Sequence, residues 1–224
     1  MVNNTTIQMD LNLFFNKLHF RLDEYKKVRS QFNVYLSKDF NVFDYINPYE
    51  NKLSDIFADL LNTNGKHGQG NKFLALFFKH VGLEGVYNLN SSDIRIERES
   101  FTSHNDNSKR RIDITIDFEG QYGVGIENKP WAKDRDEQVS DYMKHMKKKY
   151  RDNYRIIYLA GDGTPPNEKS IDINSQEYKE KVLVISYKTE IIRWLDACYK
   201  ECQSEKFRWF LKDFINYVQQ QFKT

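Results

Sequence analysis

An α/β fold, a mixed β-sheet with helices on both faces, is what this sequence predicts. Three observations carry the prediction. Arg111 to Phe118, R-I-D-I-T-I-D-F, alternates apolar and polar residues with period two, and Tyr122 to Lys129 alternates again after a three-residue turn. Apolar stripes at helical spacing lie on either side of this hairpin. The order strand–helix–strand between 122 and 160 favours a crossover that returns to the same sheet, and helices covering a mixed sheet are the natural layering.

Taken in order, residues 10–29 read as an amphipathic helix. Asp10 caps it, and Leu11, Phe14, Phe15, Leu18, Leu22 and Tyr25 recur at helical spacing. Residues 31–46 lack a clear period and read as a short helix or an ordered connection. Asn47-Pro48-Tyr49-Glu50 opens the next helix, with Pro48 at the first helical position and Glu50 at the third. Leu53, Phe57, Leu60 and Leu61 form its buried stripe. Glu50 lies within about 20° of Phe57 on a helical wheel, so it points toward the core side. A loop, N-T-N-G-K-H-G-Q-G, precedes a helix carrying Phe73, Leu74, Phe77 and Phe78. Ile94 to Phe101 reads as a strand and Thr102 to Lys109 as a surface loop. Beyond the hairpin, residues 133–150 read as a helix with a Val139, Met143, Met146 and Tyr150 stripe. Arg155–Ala160 and Val182–Ser186 read as strands, and two helices, about 188–202 and 205–222, close the chain. The whole reads as a single domain, 1–224: a helical extension (1–46), a motif-bearing core (47–160), and a closing strand with C-terminal helices (161–224).

Composition narrows the function classes. With 29% charged and 39% hydrophobic residues the chain is globular rather than disordered. A net charge of +2 advertises no strong field for a polyanion, so local clusters matter: Lys109-Arg110-Arg111, and Lys147-Lys148-Lys149 followed by Arg151. Such runs count only where they flank a site. Cys198 and Cys202 lie four apart without a second Cys or His group, which argues against zinc and for reduced thiols in a cytosol. No signal segment or long apolar run is visible, so a cytoplasmic, membrane-free protein is expected.

Within the hairpin, Ile112, Ile114, Ile116 and Phe118 share one face, and Asp113, Thr115 and Asp117 the other. With the turn at 119–121, Asp113 falls directly opposite Glu127. A one-residue slip would mix the faces. Opposed carboxylates repel; the pattern is tolerable if both heads reach water, or if a divalent cation sits between them. A solvated hairpin shows the same alternation, so the pattern alone leaves both readings open. Lys129 points to the same side, and Gly123 and Gly125 leave room there for a ligand to approach the backbone.

The ordered set resolves this. Glu50 with Ser54, His67-Gly68-Gln69-Gly70, Arg111 to Ile114, Glu127-Asn128-Lys129, and Gln138 with Tyr142 together resemble the PD-(D/E)XK nuclease superfamily. The likeness is closest to a prokaryotic branch with E, H-G-x-G, R-I-D-I, E-N-K and Q-x-x-x-Y motifs, and it spans roughly residues 43–160. Ile112 stands where the superfamily often has proline. The resemblance implies a restriction-endonuclease-like sheet and a metal-dependent nuclease acting on DNA, in restriction or phage defence. A non-catalytic nucleic-acid-binding or interaction module on the same fold is the alternative.

The chemistry is consistent. Phosphodiester hydrolysis needs a hydroxide at neutral pH and a counter-charge for the transition state, and Mg²⁺ supplies both. Asp113 and Glu127 are the expected ligands, since Mg²⁺ takes one or two carboxylates and keeps several waters; Mn²⁺ is the expected substitute. The resemblance adds the backbone carbonyl of Asn128. Lys129 is expected to stabilise the attacking water or the developing charge; a general-base role requires a depressed pKa. By resemblance, Glu50 completes the metal shell through water and Gln138 orients Lys129 or a phosphate. Tyr142 packs behind Gln138 and is counted with the nucleic-acid-binding residues, alongside Lys109–Arg111, Lys147–Lys149 and Arg151. His67 reads as loop surface. The expected partner is nucleic acid, with a homodimer or a defence-protein partner left open.

Overall fold

The computed structural model describes residues 4–37, 39–84, 93–101, 111–131 and 135–223. The chain divides into two compact units, Met1–Asn41 and Val42–Thr224. The first is built on α1, Asn4–Leu36, a helix of 33 residues. It runs past the expected end at 29 because no Gly or Pro interrupts residues 10–36. Its apolar stripe is not a core stripe: Leu11, Phe14, Phe15, Leu18, Leu22 and Tyr25 are each at least 41% exposed.

The second unit runs α2 (Phe43–Ile46), α3 (Glu50–Leu61), α4 (Lys72–His80), β1 (Ile94–Phe101), β2 (Arg111–Phe118), β3 (Tyr122–Lys129), α5 (Gln138–Tyr150), β4 (Tyr154–Ala160), α6 (Gln176–Lys181), β5 (Val182–Ser186), a π-helical turn (Tyr187–Ile191), α7 (Ile192–Glu201) and α8 (Glu205–Gln221). The short α6 falls in a polar stretch that carries no apolar period; Ser175 caps it, its side chain accepting from the Tyr178 N–H. Asn47 ends α2 in a left-handed conformation, and the chain stays extended through Tyr49. Glu50 is therefore the first residue of α3, not the third, and Pro48 precedes the helix.

The sheet has the order β1-β2-β3-β4-β5. β1, β2 and β3 are antiparallel, while β4 and β5 run parallel to β3. Arg155–Ala160 is apolar almost throughout because β4 is covered on both faces, as parallel strands usually are. One cluster places Phe57, Phe73, Trp194 and Phe214 from α3, α4, α7 and α8 against Ile114, Ile116, Val124 and Ile126. The other sets Val139, Tyr142, Met143 and Met146 of α5 against Ile156 and Tyr158. Among the described residues, no helix is long and apolar enough to cross a membrane.

The hairpin has the expected register. Ladder pairs run from Phe118–Tyr122 to Ile114–Ile126, so Asp113 and Glu127 are the next opposed pair, where the ladder ends. Two details differ from the alternation. Ile112 packs in the α5 cluster, apart from Ile114, Ile116 and Phe118, and it lies beyond the last β2–β3 ladder pair. The two glycines serve packing, not a ligand. A Cβ on Gly123 would sit 2.2 Å from the Tyr150 ring, and one on Gly125 would meet Ile156 at 3.0 Å and Ile112 at 3.4 Å. Removing these side chains lets α5 close onto the sheet.

Candidate active site

The end of the β2–β3 ladder is where the polar groups converge. β2 supplies Asp113, β3 supplies Glu127, Asn128 and Lys129, α3 supplies Glu50 and Ser54, and α5 supplies Gln138 and Tyr142. The Asn128 N–H donates to Asp113 Oδ2 at 2.8 Å, so the carboxylate takes the place of a ladder acceptor and ties the two strands together. Arg98 on β1 donates to the Asp113 carbonyl and, at 2.9 Å, to Asp55 of α3.

Glu127 is 1% exposed. Its Oε1 accepts from Gln138 Nε2 at 2.6 Å and lies 2.6 Å from Lys129 Nζ. Its Oε2 is buried with no partner. Burial first, then the charge of Asp113, pushes Glu127 up to about 8. Burial also raises Asp113, with the Asn128 N–H working against it. Lys129 lies between two carboxylates, with Glu50 Oε1 at 3.3 Å on its other side. Burial alone would lower its pKa, but the charges of Glu127, Asp113 and Glu50 outweigh burial and hold it above the usual lysine range. These charges favour the ammonium form of Lys129, the form that can neutralise developing negative charge.

Asn128 is the hinge of this arrangement. Its Nδ2 donates to Ser54 Oγ at 2.9 Å and to the Glu50 carbonyl at 3.3 Å, and its Oδ1 accepts from the Tyr187 hydroxyl at 2.7 Å. Every polar atom of that side chain is satisfied by α3 and by the turn after β5. The flanking Glu127 and Lys129 pair with each other at 2.6 Å.

Several expectations need correction. Gln138 holds Glu127 and the Tyr142 hydroxyl (2.8 Å), with its Oε1 accepting from the Arg135 N–H, so its hydrogen bonds go to Glu127 and Tyr142 rather than to Lys129. Tyr142 is 2% exposed and donates to the Arg111 carbonyl at 2.8 Å, so it braces the site from behind and offers no face to nucleic acid. Glu50 meets Lys129 directly. His67 is buried, not loop surface: its Nδ1 accepts from the Gln69 N–H at 3.0 Å, which leaves Nε2 to donate to the Asn62 carbonyl at 2.9 Å, while the ring packs 4.8 Å from Phe73. Lys147 to Lys149 lie in the last turn of α5, roughly 14–17 Å along its axis from Gln138, and Arg151 follows it. There Lys147 pairs with Glu177 at 2.9 Å and Lys149 with Asp117 at 2.8 Å. Lys148 and Arg151 are exposed at the same end. Arg111, at the head of β2, pairs with Glu99; Lys109 and Arg110 lie outside the described residues. Tyr187, Arg98 and Arg135 are the contributors that sequence reasoning missed. For Arg98 there was a signal, a charged residue in line with Ile94 and Ile96 on the core face of a strand. Tyr187 had none, because it reaches Asn128 across 59 residues.

The donor set fits a divalent cation. Among the described residues, no three His, Cys, Asp or Glu side chains form a ready-made cage. The charge of Asp113 is felt by Glu127, one oxygen of Glu127 is buried without a partner, and two carboxylates are the sparse all-oxygen set that Mg²⁺ accepts while keeping its waters. A mixed five-stranded sheet with this cluster at its centre defines a restriction-endonuclease-like α/β domain. The model of a family described as the PD-(D/E)XK nuclease superfamily matches residues 40–219, and the chain belongs to that superfamily. No curated protein and no solved structure matches it.

Proposed function

We propose that this chain hydrolyses phosphodiester bonds in DNA with Mg²⁺ or Mn²⁺, as a restriction or phage-defence nuclease. The observation that carries this is the buried, unpartnered Oε2 of Glu127 beside Asp113 and under the Lys129 ammonium. An unpaired buried carboxylate oxygen is costly, and a cation at this position removes the cost. Asp113 and Glu127 are the side chains that would hold the metal; the bound ion would supply Lewis acidity and a hydroxide at neutral pH. Lys129 balances charge on the phosphate oxygens. Gln138 and Tyr142 keep Glu127 in one orientation, and Glu50 keeps Lys129 aimed. Support for DNA and for a defence role comes from the motif set. Phosphate contacts are assigned first to the run Lys109-Arg110-Arg111, which leads in sequence directly to Asp113, rather than to the cluster at the far end of α5 from Gln138.

The test is cleavage of plasmid, single-stranded DNA and RNA in Mn²⁺, with calorimetry of Mn²⁺ binding, for wild type and Asp113→Asn. Cleavage and metal binding are expected in wild type, with both lost in the variant. Wild-type protein that binds no metal and cuts none of the three would refute the proposal.

A further inference from the structure

A pocket of about 620 Å³ opens beside the cluster, bounded by Lys129, Trp131, Ala160, Lys188 and Phe222 among others. It lies at the carboxyl ends of the parallel strands β3, β4 and β5, the position where open α/β sheets take their ligands. One wall is a ladder of rings. Trp131 stacks on Phe222 with centroids 5.5 Å apart and planes 17° apart, and Phe222 stacks on Tyr187 at 4.5 Å and 19°. Tyr187 is itself bonded to Asn128. The inner rings are buried, while the outermost, Trp131, is 51% exposed. A half-exposed indole held by two rings behind it is a pre-ordered platform, so little side-chain entropy is lost when something flat stacks on it. Lys188 and Lys223 add positive charge to the lining. Asp162, also in the lining, has its Oδ1 engaged by the Thr164 N–H at 2.9 Å.

We infer that this pocket takes one unpaired nucleotide of the substrate strand, its base against Trp131 and its phosphate beside Lys188. The inference rests on the nuclease reading above. The volume suits a nucleotide, within the range of small-ligand sites. Stacking on an aromatic platform is sequence-tolerant because every base has a π-face. Lys129 floors the pocket, so the occupant lies next to the cluster, and the substrate preferred is single-stranded or locally opened.

The experiment measures binding of a single-stranded oligonucleotide carrying 2-aminopurine, in Ca²⁺, to wild type, Trp131→Ala, Trp131→Phe and Lys188→Ala. Circular dichroism checks the fold of each. Fluorescence quenching is expected on binding to wild type and to Trp131→Phe. Affinity should fall about ten-fold or more for Trp131→Ala, and the log–log salt slope should shrink by roughly one for Lys188→Ala. Wild-type protein that cuts nucleic acid in Mn²⁺ while Trp131→Ala binds as tightly as it does overturns the pocket alone. Wild-type protein that neither binds nor cuts overturns the nuclease reading and the pocket with it.

Discussion

The raised Glu127 carboxyl makes the metal-free protein lose stability as pH rises, opposite to the usual behaviour of an ion-paired acid. The sign follows from which state holds the proton. The ordinary value is 4.5 and the folded value is about 8. Between them the folded chain keeps a proton that the unfolded chain has released. Stability from this group is therefore full below about pH 4.5 and is lost on the way to 8, at about 1.4 kcal/mol per pH unit. The limiting loss is about 5 kcal/mol by pH 8, and roughly 3 kcal/mol at pH 7. The Lys129 ammonium at 2.6 Å favours the anion and is already contained in that value, so an observed loss on the order of 3 kcal/mol by pH 7 is expected. Asp113, also raised, acts with the same sign. The carboxyls held low, Asp55, Asp117, Glu177 and Glu190, work in the other direction. Their contribution is gained through the ordinary carboxylate range and is complete by about pH 5.5. Lys129, raised, matters only above the usual lysine range. The assay is urea unfolding in EDTA at pH 5.5, 6.5, 7.5 and 8.5, for wild type and Glu127→Gln. Wild type should weaken steadily and Glu127→Gln should be nearly flat, leaving only the Asp113 share. Saturating Mg²⁺ should reverse the trend, because the metal binds the deprotonated carboxylates. Wild-type stability in EDTA that is constant or rising over this range would refute the reasoning.

Three further outcomes are expected. Lys129→Ala should abolish cleavage; without the ammonium Glu127 keeps its proton to higher pH, so in EDTA the decline of stability with pH should continue past pH 8 where that of wild type levels off, and unfolding curves from pH 5.5 to 9 check this. Tyr187→Phe should cost about 1–3 kcal/mol by orphaning the buried Asn128 Oδ1, and it should slow cleavage at saturating Mn²⁺ because Glu127 and Lys129 flank that hinge. Gly123→Ala should cost about 1–3 kcal/mol, since its Cβ would fall 2.2 Å from the Tyr150 ring and the ring could yield only by breaking its 2.6 Å bond to Asp117; Tyr150 fluorescence and thermal unfolding report it.

Much of this site was legible in one dimension. Period-two alternation and a three-residue turn located the hairpin and its register, which holds from Phe118–Tyr122 to Ile114–Ile126, one step short of Asp113 and Glu127. The α5 stripe and the parallel return of β4 followed from local periodicity and the handedness rule for crossovers. These features depend on neighbours within one element or one connection, where side-chain spacing decides which way each residue faces.

Tertiary structure decided whatever depends on partners far along the chain. It turned Ile112 to the α5 side, and it filled the space above Gly123 and Gly125 with Tyr150, Ile112 and Ile156 instead of a ligand. It took Gln138 to Glu127, buried His67, and engaged Lys147 and Lys149 with carboxylates 30 or more residues away. It raised Lys129 rather than lowering it, because the sign depends on how many carboxylates surround the ammonium once burial has removed the water. The sequence by itself determined which residues could share a face. Only the folded chain determined which charges are desolvated together, because burial depends on elements far apart in sequence closing over the end of the hairpin.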